Sequence, residues 1–591
     1  MTKHGLLSEG TYRAKELINV ILGKEKADLT IINATILNVY TGELLDHYSV
    51  SIKGEWIAYV GDDPEDTIDT HTKIIDAKGK TIIPGLIDGH AHLSWIFNIS
   101  EFLLYAMQGG TTTIITETME TFPVMGYEGV VDFLSSLADQ PIKIFGTAPS
   151  MVSISKKALG ISKATLKKLL SRDDILGLGE SYWQVVMQEP EEFLPIFKET
   201  LNFGKRLEGH SAGAKGKKLM AYIAPGISSC HEPINAEEVL ERLRLGMHVM
   251  IREGSIRRDL APISRIKDAG VDLRRLVLVT DGIEPGDLLE KGYMEFVVQK
   301  AIDCGFDPVD AIQMATINVA EHFFLDGIVG GIAPGKYADM IIIPDPRIIK
   351  AEYVISKGKI IAREGNLLVS PRKHVFSKDS LNSIHLLREL EPSDFSIQVK
   401  KKCIHVNVRV IDQVTDLVTK ELIISLPVID GEIRQDVSKD ILKVAAIDRR
   451  YFPGKIFVGL IRGFRLKGGA IACSAAWDTS DIIVVGENDK DMAGAVNRIY
   501  ALQGGAVVYS GGKILAEIPL PVFGIIADMP IKMLVKRMEE ITRVIKDLSF
   551  PYENPLLTLV TLTGAAIPFL RICEEGLVNL KDGKTLGLIV S

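Results

Sequence analysis

At 591 residues the chain is too long for one hydrophobic core, and about three domains are expected at roughly 100–200 residues each. An apolar fraction of 46% and a charged fraction of 24% are those of a globular protein, and a net charge of −8 argues against a basic nucleic-acid-binding face. Cys230, Cys304, Cys403, Cys473 and Cys573 lie far apart with no C-x-x-C pair, which argues against a disulfide framework and a thiolate zinc site. No run approaches the ~18 apolar residues of a membrane span, and no charged segment leads into an apolar one at the N-terminus. A cytoplasmic protein without membrane or nucleic-acid partners is expected.

In chain order, residues 8–24 predict a short polar helix. From 28 the pattern alternates as in strands, through "ADLTIINATILNVYTGEL" and "YSVSIKGEWIAYVG", with Gly and Asn at the turns. Residues 1–80 are therefore read as an N-terminal helix and part of a small β-sandwich. Over 81–342 apolar strands alternate with amphipathic helices: "GTTTIITE", "IKIFGTAPS", "ILGLGESY", "HVMIREGS", "LVLVTD". That alternation over ~250 residues predicts an α/β fold, a (β/α)8 barrel as catalytic domain. After Gly335 the β texture returns in "ADMIIIPD" and "EYVISKGKIIAREG", so residues 343–370 return to the β-sandwich, which is then built from both flanks. Residues 371–400 read as a linker. Residues 401–591 read as a C-terminal α+β domain, with strands such as "KVAAID" and "DIIVVGEN" and a helix at 528–547. No internal repeat or low-complexity segment is present.

A barrel carries its chemistry at the C-terminal ends of its strands. The segment "PGLIDGHAHLSWIF" puts His90 and His92 one residue apart after an apolar run, and in extended chain such positions face the same way. Glu180 follows "ILGLG", His210 follows "GKRLEG", His231 follows "GISSC" and Asp281 follows "LVLVT". Taken singly, each is equally well a strand-end polar group or a helix cap. Taken together, they use four of the twelve histidines and suit two divalent ions with positions open to water and substrate.

On these residues "PGLIDGHAH" resembles the first barrel strand of the amidohydrolase superfamily. The segments "GHSAGAKGKKLMAYIAPGISSCHEP", "LRLGMHVMIREGS" and "MATINVAEHF…GGIAPGKYADMIII" resemble the adenine deaminase family more narrowly. So do "VGLIRGFRLKGGAIACS", "DIIVVGENDKDMAGAVNRI" and "GGKILAEIPLPVFGI" in the C-terminal block. The resemblance runs from about 28 to 580 and implies a binuclear metal hydrolase converting adenine and water to hypoxanthine and ammonia. It implies that His90 and His92 bind one ion and that His210 and His231 bind the other. Glu180 would bridge the two, where many superfamily members use a carboxylated lysine. Asp281 would contact the metal-bound water, acting as general base and then acid. Mn2+ or Fe2+ is the family habit, and imidazole with carboxylate also accepts Zn2+. Glu232 is the candidate proton donor to a ring nitrogen, or else a helix-start carboxylate. Arg252, Glu253 and Ser255 of "IREGS" are candidate substrate contacts, or else ion-paired rim residues. A purine ligand and a homo-oligomer, dimer or higher, are expected.

The chain departs from the family pattern at named places. "HAHLSWI" has Ser94 where the pattern has Glu, and "GTTTIITETME" has Glu117 and Met119 for an Asp and a His. "TDGIEP" has Gly282 for a second Asp, "DRRY" stands for E-R-H-H, and "WDTSD" begins with Trp477 where the pattern begins with His. Three readings therefore stand: an adenine deaminase, an amidohydrolase for another heterocycle or cyclic amide, and a catalytically silent homologue. Lost hydrogen-bonding groups in a pocket can shift specificity by orders of magnitude.

Overall fold

A computed structural model describes residues 5–150, 153–156, 160–400, 403–567 and 569–590. Its centre is a run of parallel strands, each followed by helix: β1 (Leu86–Ala91), β2 (Thr111–Thr116), β3 (Lys143–Ala148), β4 (Ile175–Tyr182), β5 (Arg206–His210), β6 (Ser229–Cys230), β7 (His248–Arg252) and β8 (Leu276–Val279). β1 to β5 pair in sequence order as one five-stranded sheet, and β6 to β8 as a three-stranded one. The two arcs meet at both ends. Ser228 N–H donates to Leu207 O at 2.9 Å beside β5 and β6, and Asp281 N–H donates to His90 O at 3.0 Å beside β8 and β1.

The strands are rich in apolar residues and Thr because both faces are covered, with charged and polar side chains mostly at their ends. All residues of β1 and β2 are buried. Ile87, Ile115, Met250, Val277 and Val279 pack inside the arcs against Val319 and Phe323. Several helices outside are started by a side-chain oxygen. Asn98, Ser162 and Asn235 accept from the backbone N–H of Ser100, Thr165 and Glu238, respectively.

The helix expected near the N-terminus runs from Gly5 to Ile21. The two flanks of the parallel region share one nine-stranded sheet. Its seam is Thr81–Pro84, parallel to Thr35 and Ile36 on one side and antiparallel to Met340–Ile343 on the other. Residues 371–400 are mostly irregular yet pinned: His374 Nε2 lies 2.8 Å from Asp132 Oδ1, and Ser380 donates to Asp132 Oδ2 at 2.5 Å. The C-terminal block is built on an eleven-stranded sheet. Its expected helix is Ile531–Asp547, entered through Pro530. A further helix, Asp489–Leu502, covers the segment "DKDMAGAVNRIYAL"; Asn488 caps it, and Met492, Val496 and Ile499 form its buried face. Among the described residues no helix is long and apolar enough to cross a membrane.

The C-terminal block sits over the C-terminal ends of the parallel strands. Ile96 N–H donates to Ile525 O and Ala527 N–H to Ile96 O, at 3.0 and 2.9 Å, which ties the loop after β1 to that block.

Candidate active site

Each candidate ligand is held by the strand end that carries it. Asp88 in β1 accepts from Thr280 Oγ1 and Tyr293 OH, both at 2.6 Å, and from His90 N–H at 3.1 Å. It thereby joins β1 to β8 and fixes His90 and Asp281 together. Asp281 stands two residues beyond β8 with a φ of 63°, in the left-handed region that Asp tolerates through its short polar side chain. Tyr222 OH accepts from His210 N–H at 2.9 Å and donates to Ser181 O, linking the ends of β5 and β4. The buried Arg242 donates to Ser211 O at 3.0 Å and Ala214 O at 3.3 Å, and reaches Cys230 Sγ at 3.4 Å. One guanidinium so orders the chain around both His210 and His231.

The six residues converge. Their potential ligand atoms form two groups, His90–His92–Glu180–Asp281 and Glu180–His210–His231, each lying within 4.8 Å of one another. Glu180 belongs to both. Its Oε1 lies 3.1 Å from Nε2 of His90, 3.1 Å from Nε2 of His92 and 3.4 Å from Nε2 of His231. Asp281 Oδ1 lies 3.4 Å from Nε2 of both His90 and His92. Glu232 Oε1 lies 3.1 Å from His210 Nε2 and 2.9 Å from His231 Nε2.

Two carboxylates stand behind the paired imidazoles. Glu120 contacts His92 Nδ1 and accepts from Ser94 Oγ. Glu117 Oε1 lies 3.8 Å from His90 Nδ1, while its Oε2 accepts from Thr147 Oγ1 at 2.7 Å. With Nδ1 turned to a carboxylate, each ring offers Nε2 to the centre, the arrangement that orients metal-binding histidines. The sequence reading passed over Glu120, although it ends the same "TETME" segment as Glu117. Ser94, a departure from the family pattern, is the Glu120 partner.

Burial raises carboxyl pKa values here, and the neighbouring charges decide the outcome. Burial opposes ionisation of Asp281, but hydrogen bonds from His90 and His92 and the charge of Arg252 hold it well below the usual range. Glu180 is held low against burial by His231, His90 and His92. Glu232 is held low against burial by Arg252, His210 and His231. Burial raises Glu117 to about 7, with the charge of His90 offsetting this only in part and that of Glu180 adding to it.

The donor cluster opens into a cavity of about 380 Å³. His92, Glu180, His210, His231 and Asp281 line its floor, and Leu417, Val418, Trp477, Asp478 and Ile567 of the C-terminal block line its roof. The roof was not foreseen, since it forms only when two distant segments fold together. Met119 and Gly282, two departures from the family pattern, also line this cavity.

Of the three residues expected to meet substrate, only Arg252 lines the cavity. Its Nη1 donates to Glu232 Oε1 at 3.0 Å and Asp281 Oδ2 at 3.3 Å, and its Nε and Nη2 to Asp259 at 3.0 and 2.9 Å. Glu253 borders a separate small pocket beside Asp287 and Tyr293. Ser255 is committed to the next loop: its hydroxyl donates to Asp287 Oδ2 and accepts from Glu284 N–H, each at 2.7 Å. Glu253 points away because successive residues alternate faces at the strand end.

The sequence itself matches two family models, the amidohydrolase family over residues 81–361 and the adenine deaminase C-terminal domain over residues 416–584. It is 34% identical over 586 residues to a protein named adenine deaminase from Clostridium botulinum, covering 98% of each chain. Proteins of the same name from Moorella thermoacetica and Dehalococcoides mccartyi are 35% and 36% identical, each match covering 97% of this chain and 98% of the relative. Together with the gathered histidine and carboxylate cluster, matches of this length mean that the chain belongs to the adenine deaminase family of the amidohydrolase superfamily.

Proposed function

We propose that the protein hydrolyses adenine to hypoxanthine and ammonia with two divalent ions bound in the donor cluster. The observation that carries this reading is the position of Glu180 in both ligand groups, one carboxylate common to two sets of imidazoles. The cluster fits such ions: it is buried, it offers only nitrogen and oxygen donors, and carboxylates stand behind the Nδ1 atoms of His90 and His92. His90, His92, Glu180 and Asp281 would hold one ion, and Glu180, His210 and His231 the other. Mn2+ or Fe2+ is what the family resemblance leads us to expect, and this donor set also accepts Zn2+. Ions bound there lower the pKa of water toward neutrality and polarise the bond under attack.

The residues do the rest. Asp281 is ionised at rest and takes a proton from the attacking water, then returns it to the departing amine. Glu232 serves the ring nitrogen that gains charge as C6 becomes tetrahedral. Arg252 keeps Glu232 ionised at rest, so the proton it passes to the ring nitrogen is one of the two given up by the attacking water, and the other leaves with the amine through Asp281. We read the eight parallel strands as a (β/α)8 barrel, because the arcs join at both ends; its C-terminal rim is where such folds carry their chemistry.

A second reading, hydrolysis of another heterocycle or a cyclic amide, is favoured by one observation. Met119 and Gly282 line the cavity where the family pattern supplies His and Asp. Metal content and products test the proposal together. Protein purified with manganese should approach two ions per chain and release ammonia from adenine without ring opening. A chain that holds no metal after reconstitution excludes the hydrolase, and ring-opened product supports the second reading.

A further inference from the structure

The C-terminal block brings one charged side chain to the cavity among the described residues, Asp478. Its roof neighbours are otherwise mostly apolar: Leu417, Val418, Ala476, Trp477 and Ile567. The segment that carries Asp478 is fixed rather than loose. The buried Arg449 donates to Ser474 O and Ser480 O, both at 3.1 Å, and so clamps the two ends of the roof loop. Asp478 itself has a φ of 51°, its carbonyl accepts from Ile154 N–H at 3.1 Å, and its Oδ2 accepts from Ala565 N–H at 2.8 Å. Tyr182 OH donates to its Oδ1 at 3.3 Å. An ionised carboxylate has about four lone-pair sites, so these two donors leave it able to accept more.

Tyr182 also sets the scale. It ends β4, two residues after Glu180, and its ring lies edge-on to His210 with centroids 4.8 Å apart. The Tyr182 ring thus meets the donor cluster at His210 and its hydroxyl meets Asp478, so one aromatic side chain reaches from the cluster to the roof carboxylate. A neutral adenine with C6 at the donor cluster turns its imidazole edge away from that cluster. That edge carries the one ring N–H of the free base, and a carboxylate recognises N–H by accepting from it. Burial raises the Asp478 carboxyl to about 6, which leaves it ionised above neutral pH.

We infer that Asp478 is a specificity residue, accepting the imidazole N–H of a free purine base and rejecting bases alkylated there. The assignment rests on the adenine reading above and is tested with adenine and 9-methyladenine, which has no ring N–H. In the parental protein kcat/KM should favour adenine by about 10–100-fold, the range for one hydrogen bond to a charged group. Asp478→Ala should bring the ratio to within about threefold, mainly by weakening adenine binding. Asp478→Asn, which keeps the shape and one acceptor oxygen, should retain part of the preference and serves if the alanine variant does not fold. A ratio unchanged in a folded variant overturns the assignment and leaves adenine hydrolysis standing, with Asp478 only a latch between domains. Failure of the parental protein to turn over adenine overturns the earlier reading instead. In that event equilibrium binding of the two bases, followed by tryptophan fluorescence, decides this one. Preference for adenine that is lost in the variant supports it; equal affinity, or no binding of either base, overturns it.

Discussion

Arg252 Nη1 donates to Glu232 Oε1 at 3.0 Å, and the same nitrogen reaches Asp281 Oδ2 at 3.3 Å. One cation thus holds both carboxylates assigned to proton transfer. The other edge of the guanidinium is anchored by Asp259, so its plane is fixed. Lysine keeps the charge but cannot reproduce that fork. Arg252→Lys is expected to lower kcat by about tenfold or more and to retain bound metal. Steady-state kinetics beside metal analysis checks this; a parental kcat would show that the guanidinium geometry has no part in turnover.

Asp281→Asn separates the proton carrier from the ligands. The amide still offers a carbonyl oxygen to an ion but cannot accept and return a proton. Turnover should fall by at least about 10²–10⁴-fold, the usual scale of general acid–base catalysis, with most metal retained. Joint loss of metal and activity would make Asp281 chiefly a ligand. Parental turnover would pass the role to Glu232.

His90→Ala and Glu180→Gln are both expected to abolish turnover without unfolding the chain. The two side chains face the cluster at the strand ends, and the apolar packing inside the arcs is carried by residues such as Ile87, Val277 and Val279. Far-UV circular dichroism should match the parental spectrum. Near-normal activity in both variants would move the site elsewhere.

Glu295 gives a pH signature outside the site. Burial raises its carboxyl to about 7, and the N–H of Tyr293, donating to Oε1 at 3.0 Å, offsets this only in part. Its Oε2 has no hydrogen-bond partner among the described residues. The folded chain therefore keeps a proton that the unfolded chain releases above its ordinary value of 4.5. That stability contribution is complete below 4.5 and is lost as pH rises through about 7. Glu295→Gln should flatten the decline between pH 5 and 8 and stabilise the protein at pH 8 by about 1–3 kcal/mol. Denaturant melts across that range check it; parallel curves for the two proteins would contradict it.

Much of the cluster was legible because its members end apolar runs. His90, Glu180 and His210 lie within or at the end of β1, β4 and β5, His231 follows β6 directly, and Asp281 stands two residues beyond β8. Apolar patterning marks β2, β3, β4, β7 and β8, while His90, His210 and His231 stand out only through the short segments that precede them. The helix expected at 528–547 is Ile531–Asp547 for the same reason, a clear apolar face. What could not be read depends on contacts between distant segments. Nothing local says that Trp477 and Asp478 roof a cavity floored by Glu180, or that Glu120 stands behind His92. Arg449 lies in a run of charged residues, yet it is fully buried and satisfied by the backbone carbonyls of Ser474, Ser480 and Phe523. Ser255 and Glu253 were drawn into the site by adjacency to Arg252, but only one face of a strand end meets the cavity.

The most direct test of the account is ammonia release from adenine by manganese-loaded protein, with the purine product identified by chromatography. One ammonia and one hypoxanthine for each adenine consumed, lost together in Glu180→Gln, is the expected result. A fully metal-loaded, folded protein that leaves adenine intact would contradict it.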